Sequence, residues 1–255
     1  AGTSPGDPQI ASNGVGYAIA WWQYGGATPT TIYARIWDGS NWGASTQVEN
    51  LPGDDMAPRI TSDGSGYAIA WIHTGPVSTD HDLYVSVYQT AWMGVLLENL
   101  GGSAVDACIS GGAGGYACAW SQTDQATASV YASVRTGSWS PPTSLVTNSY
   151  TTDSSNAQII GNAAGSMLAV WEQYSGRDHR LFGSVCEQGT WQPPFEIAAT
   201  GAGLATPPIL STNGSGFAVG WSQYTTEMLF ANVYVAGAWS GPVCLDVGLG
   251  AGQPW

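Results

Sequence analysis

The amino-acid sequence predicts an all-β protein built from five tandem copies of one four-stranded unit of about 50 residues. Three observations predict it. The segment Tyr17-Ala-Ile-Ala-Trp21 returns as Tyr67-Ala-Ile-Ala-Trp71 and Tyr116-Ala-Cys-Ala-Trp120, with weaker copies ending in Trp171 and Trp221. Those five tryptophans are 50, 49, 51 and 50 residues apart. A second series, Trp42, Trp92, Trp139, Trp191 and Trp239, keeps the same beat. Between the two series stands an aromatic followed closely by a β-branched residue: Tyr33 and Ile36, Tyr84 and Val87, Tyr131 and Val134, Phe182 and Val185, Phe230 and Val233. Four antiparallel strands repeated at this period make the blade of a β-propeller, so the fold class is a five-bladed β-propeller.

Within each unit the first strand holds Ile10, Ile60, Ile109, Ile160 or Leu210, eleven residues before the first-series Trp. Asn13-Gly14, Asp63-Gly64 and Asn213-Gly214 then mark hairpin turns, because both residues accept the positive φ that a tight β-turn requires. The second strand ends in the Trp and the third carries the Tyr/Phe position. A Gly-containing turn such as Asp38-Gly39 leads to a fourth strand opened by the second-series Trp. Blade boundaries fall at 7–56, 57–105, 106–155, 156–206 and 207–250, with the first strand of each placed innermost. The periodic tryptophans are expected to fill the wedge between packed blades. Trp22, Trp37 and Trp255 break the pattern and are candidates for exposure. Trp255 also stands where a sixth unit would begin, so it either caps the last blade or opens another in a longer chain.

Composition narrows the partners. Lysine is absent, and five arginines face 18 carboxylates, for a formal charge of −13. Such a surface repels polyphosphate, which argues against nucleic acid and anionic membranes. No apolar run is long enough to span a bilayer. Ala1-Gly2-Thr3-Ser4 reads as a mature terminus after signal cleavage, consistent with a secreted or cell-surface location. The four cysteines show no zinc or haem spacing. Cys108 and Cys118 fall on paired strands, ten residues apart, where a cross-strand disulfide is an open alternative.

The unit, with its Gly-x-Gly-Tyr-Ala-x-Ala-Trp and Asp-Gly-x-x-Trp signatures, resembles repeats of secreted and surface-attached bacterial propeller proteins over residues 7–250. Its architecture is similar to five-bladed lectins of the tachylectin type and to five-bladed arabinanase-type glycosidases. The resemblance implies export and a propeller; fold analogy alone assigns no activity.

Three functions compete. The first is a non-catalytic, lectin-like binding module for glycans or surface polysaccharide. Two residues past each first-series Trp stands Gln23, His73, Gln122, Gln173 or Gln223, next to Tyr24, Thr74, Thr123, Tyr174 or Tyr224. An amide beside an aromatic at repeated strand ends can grip hydroxyls and stack on a ring, and repetition adds avidity. The ligand-binding candidates are therefore Gln23, Tyr24, Gln122, Gln173, Tyr174, Gln223 and Tyr224; the bland alternative is that each Gln satisfies loop backbone. The second is a structural surface or matrix protein that meets other surface proteins. The third is an arabinanase-type glycosidase, with Asp7 and Asp106 at one repeat position as its carboxylates; Ala57, Ala157 and Pro207 occupy that position elsewhere, and Glu172 is a poor match for the missing proton donor. No cofactor is implied. Calcium is the ion that loop carboxylates at Asp54-Asp55 and Asp80-His81-Asp82 would hold, against the alternative of solvated acidic loops. Arg177-Asp178-His179-Arg180 concentrates basic groups that would dock a carboxylate or lie on a surface turn.

Overall fold

The computed structural model describes residues 4–26, 29–98, 100–124, 127–146, 153–174, 179–201, 204, 207–223 and 227–246. Among them there is no helix, and the strands form five antiparallel sheets in chain order. The first sheet holds β1 (Ser4–Ser12), β2 (Tyr17–Tyr24), β3 (Thr31–Trp37) and β4 (Thr46–Gln47). The second holds β5 (Asp54–Ser62), β6 (Tyr67–Thr74), β7 (His81–Tyr88) and β8 (Trp92–Leu96). The third holds β9 (Ser103–Gly112), β10 (Gly115–Asp124), β11 (Thr127–Arg135) and β12 (Thr143–Ser144). The fourth holds β13 (Ser154–Gly161), β14 (Met167–Tyr174), β15 (His179–Glu187), β16 (Thr190–Trp191) and β17 (Phe195–Gly201). The fifth holds β18 (Ile209–Thr212), β19 (Phe217–Ser222), β20 (Leu229–Val235), β21 (Ala238–Trp239) and β22 (Val243–Cys244).

The hairpins form at the Asn-Gly and Asp-Gly pairs, but only the glycines take positive φ, and the Asn or Asp closes the turn with its side chain. Asn13 Oδ1 accepts from the N–H groups of Val15 (3.1 Å) and Gly16 (2.7 Å), and Gly14 takes φ 85°. Asp63 and Asn213 repeat the arrangement. The outer edge departs from the expectation of one fourth strand opened by Trp. Only Trp92–Leu96 runs unbroken; elsewhere the Trp makes a short bridge or a two-residue strand, and pairing resumes later. Ser140-Pro141-Pro142, Gln192-Pro193-Pro194 and Gly241-Pro242 explain three of the breaks, since proline has no N–H for a ladder.

The first strands of the first four sheets each carry a β-bulge whose extra residue is left-handed: Asp7 (φ 49°), Ala57 (φ 51°), Asp106 (φ 53°) and Asn156 (φ 56°). Asp and Asn are the side chains that tolerate this backbone best, which accounts for three of the four. The fourth hairpin is one residue longer than the others, so Asn156 and Ile159, not Ala157 and Ile160, take the repeat positions of Asp7 and Ile10.

Successive first strands pack on one another, β1 on β5, β5 on β9, β9 on β13 and β13 on β18, placing them on the inner side. Four apolar clusters fill the gaps between successive sheets. In each, the aliphatic face of one sheet covers the tryptophan face of the next. Ile32, Ala34 and Val48 cover Ile69 and Trp71; Leu83, Val85 and Leu97 cover Cys118 and Trp120. Val130, Ala132 and Leu145 cover Ala169 and Trp171; Leu181, Val185 and Ile197 cover Val219 and Trp221. Trp71, Trp120, Trp171 and Trp221 are fully or almost fully buried. Trp22 and Trp37 are half-buried; Trp255 lies outside the described residues.

All four cysteines are free thiols. The register pairs Cys108 with Ala119 and Cys118 with Ile109, so the two sulfurs point to opposite faces of the sheet. Accordingly Cys118 joins the cluster on one side and Cys108 packs on the other, which excludes the cross-strand bridge. Burial pushes the Cys108 thiol up to about 12.

Candidate functional site

The structure splits the candidate binding residues. The Trp120 indole N–H donates to Gln122 Oε1 at 3.0 Å, and Gln122 Nε2 donates to the Gly101 carbonyl at 3.3 Å. Trp21 donates to Gln23 in the same way at 3.3 Å. Residues two apart on a strand share a face, so in the first and third sheets the strand that places Trp also places its acceptor; the indole nitrogens of Trp171 and Trp221 are buried without one. Gln122 and Gln173 are buried and Gln23 and Gln223 half-buried, whereas Tyr24 and Tyr174 are 44% and 38% exposed. Tyr224 lies outside the described residues, as do Arg177 and Asp178.

The second sheet solves the same problem with different chemistry. His73 replaces the glutamine, and the Trp71 indole donates to Asp55 Oδ1 at 3.1 Å while His73 Nδ1 bonds the same oxygen at 2.8 Å. Asp55 is therefore not a loop residue: it lies on β5 and is 1% exposed. Its Oδ2 and Oε1 of Glu49 are buried without a conventional donor, because these two carboxyls meet each other. Desolvation, and then Glu49, raise Asp55 to about 9. Glu49 ends the first unit, in Val48-Glu49-Asn50-Leu51, and accepts from the Leu51 N–H; Glu98 does the same for Leu100 in the next copy of that motif. Burial raises Glu98 to about 7, aided by the charges of Asp82 and Asp80.

In front of this pair, between the first and second sheets, is a groove of about 420 Å³ lined by Gln47, Glu49, Asn50, Leu51, Tyr84, Trp92 and Gly94. Tyr84 stacks on Trp71 at 5.8 Å and meets His73 edge-on at 5.3 Å. Gly94 leaves room for the Trp71 ring, which a Cβ there would approach to 3.3 Å. The groove offers two half-buried rings beside a carboxylate and two amides, the mixture that grips a polyhydroxylated ring. Its signal was present in sequence as the second-series Trp and the Glu-Asn pair, but these come from different units. A larger hollow of about 740 Å³, at the hairpin ends of the third and fourth sheets, is lined mostly by glycine-rich turns and has no aromatic wall.

A second polar cluster lies in the fourth sheet. Glu172 receives His179 Nδ1 (2.8 Å), the Asn156 amide (3.1 Å) and the Leu204 N–H (2.9 Å), and the Tyr174 ring lies 4.6 Å from His179. Arg180 pairs with Glu196 at 2.8 Å. Asp7 and Asp106 are exposed residues on separate bulges, and Asp7 bonds Gln9 and Arg59. His81 starts β7 and bonds Thr74 at 2.7 Å. Among the described residues no group of three or more His, Cys, Asp or Glu side chains is arranged to hold a metal, which includes the Asp54-Asp55 and Asp80-His81-Asp82 candidates for calcium.

No family model matches the chain, and no curated protein matches it in sequence. Solved structures do. A thermostable family-43 glycoside hydrolase is similar with a TM-score of 0.50 at 12% identity, over 99% of this chain and 96% of that one. The Penicillium chrysogenum α-L-arabinanase complexed with arabinobiose gives 0.53 at 16% identity, over 88% of this chain and 76% of that one. The Aleuria aurantia lectin, described as a six-bladed β-propeller, gives 0.47 at 14% identity over 96% and 80%. At these identities the likeness is one of fold: the antiparallel sheets succeed one another as propeller blades do.

Proposed function

We propose that this chain is a five-bladed propeller module that binds carbohydrate outside the cell without cleaving it. The observation that carries the reading is the groove in which Tyr84 and Trp92 flank Glu49, Asn50 and Gln47. Aromatic faces take the apolar side of a sugar ring while carboxylate and amides bond its hydroxyls. The negative surface favours neutral glycans over anionic ones. The exposed rings of Tyr24 and Tyr174 supply further stacking surfaces at repeated strand ends, where Gln23 and Gln122 bond the indoles of Trp21 and Trp120 and Gln173 and Gln223 hold the same repeat position.

The neighbouring carboxyls of Glu49 and Asp55 favour a second reading, a glycosidase, since hydrolysis uses a pair of carboxyls and burial raises Asp55 far above the usual range. Against it stands the 1% exposure of Asp55, which keeps the protonated partner away from any substrate. Asp7 and Asp106 also have a backbone reason to be where they are.

A glycan array with and without calcium, extended to arabinan and followed by a reducing-end assay, separates these readings. Binding without release of reducing ends, weakened about tenfold or more by Trp92→Ala, is the expected result. Binding that survives Trp92→Ala and falls with Tyr24→Ala plus Tyr174→Ala moves the site to the strand ends. Reducing ends released by the protein and lost with Glu49→Gln make it a glycosidase. Silence throughout leaves a structural surface protein.

A further inference from the structure

Five sheets in a ring would meet at five interfaces, and the described residues form four. The two faces left over are not arbitrary. On β2 the alternation is one-sided: Ala18 and Ala20 are buried against the second sheet, while Tyr17 is 49% exposed and Ile19 and Trp21 are half-exposed. Ile10 beside them is 61% exposed. On β19 the alternation is the opposite one. Phe217, Val219 and Trp221 are buried against the fourth sheet, and the other face of the fifth sheet exposes Ile209 (70%), Leu229 (41%), Val233 (40%) and Leu245 (51%). Leu229 and Leu245 stand at the repeat positions of Ile32 and Val48, which are 0% and 4% exposed under the second sheet's tryptophan face. Trp21 stands at the position of Trp71. The first sheet therefore presents the tryptophan half of the internal joint, and the fifth presents the aliphatic half.

We propose that these faces are docking surfaces for each other on two copies of this chain: the fifth sheet of one copy covers the first sheet of the next. Every copy carries one half of the joint at each end, so the contact is heterologous and repeats head to tail, ending either in a closed ring or in a filament. The occupant is a second copy because its surface reproduces, position by position, the pairing already made four times inside the chain. Contiguous apolar area of this kind is otherwise a solubility liability on an exposed protein.

The test is light scattering and sedimentation of the full chain across a concentration series. Two variants carry it: Ile10→Asp, which charges the first-sheet face, and Leu229→Asp with Leu245→Asp, which charges the fifth. All three positions are exposed within one copy, so the variants keep the strand signature in circular dichroism. The wild type is expected to gain mass with concentration, and each variant alone to associate at least about tenfold more weakly. Mixed, the two variants retain one intact half each and are expected to stop at a 1:1 dimer. A wild type that stays monomeric at every concentration, or variants that assemble as well as it does, overturns the proposal. A monomer whose Trp21 is quenched no more than the buried tryptophans would show that the fifth sheet closes on the first within one copy.

Discussion

Leu83 in the second sheet and Leu229 in the fifth hold the same position of the same repeat, yet the first is fully buried and the second is 41% exposed. Trp120 and Trp21 make the same contrast on the opposite face, one at 0% exposure and the other half-buried. Nothing in the local sequence distinguishes the members of either pair. Among the described residues, what differs is whether a neighbouring sheet stands on that side. The pattern of apolar residues announces which faces want cover; it does not say that every one receives it.

The largest expected effect comes from the tryptophans. Trp120→Ala should cost about 3–5 kcal/mol, the range for emptying a packed aromatic site, and Trp21→Ala about 1 kcal/mol. Urea unfolding measures both; equal losses would mean that the first-sheet face is covered. Next is Leu181→Ala, expected at about 2–5 kcal/mol, against less than about 1 kcal/mol for Leu229→Ala in dilute solution. If the Leu229→Ala penalty grows with protein concentration, head-to-tail assembly is its source.

A second contrast sets the Asp55–His73 acceptor of the second sheet against Gln122 in the third. Asp55 is raised from 3.8 to about 9 in the folded chain, so between those values the native state holds a proton that the unfolded chain has released. Stability from this group is complete below pH 4 and lost as pH rises toward 9; Glu98 adds the same sign up to about 7. The melting temperature should therefore fall from pH 5 to pH 9, and Asp55→Asn, which mimics the protonated form, should flatten the slope by on the order of 5 °C. An unchanged slope would show that Asp55 holds no extra proton in the folded chain.

Smaller still is Gln122→Ala, expected to cost about 1–3 kcal/mol by stranding the buried Trp120 N–H, against under about 1 kcal/mol for the half-buried Gln23→Ala. The smallest concerns the bulges. Asp106→Asn should be neutral within about 0.5 kcal/mol, and Asp106→Val should cost about 1 kcal/mol because a β-branched residue resists positive φ. Comparable losses for both would give the Asp106 carboxyl a role beyond its backbone.

The repeat, the count of four-stranded units, the Asn-Gly and Asp-Gly hairpins and the burial of Trp71, Trp120, Trp171 and Trp221 were all legible in the residues. Each depends on side-chain period and turn chemistry, which act within a few residues. The proline breaks of the outer strands were legible too, in Pro141-Pro142 and Pro193-Pro194, although the period alone passes over them. Asp7 and Asp106 show the limit of that reading: an acidic residue at a recurring position suggests chemistry, and the positive φ of a bulge adds a backbone explanation that the sequence does not show.

The groove, the Glu49–Asp55 pair and the two uncovered faces were decided by tertiary structure. Glu49 follows β4 of the first sheet and Asp55 lies on β5 of the second, and their carboxyls meet where β5 packs against the first sheet. Trp92 faces Asn50 across a gap that belongs to neither sheet. Whether Trp21 or Leu229 is covered depends on how far five twisted sheets turn around their common axis. That angle is the sum of four separate packings, and no window of sequence contains it.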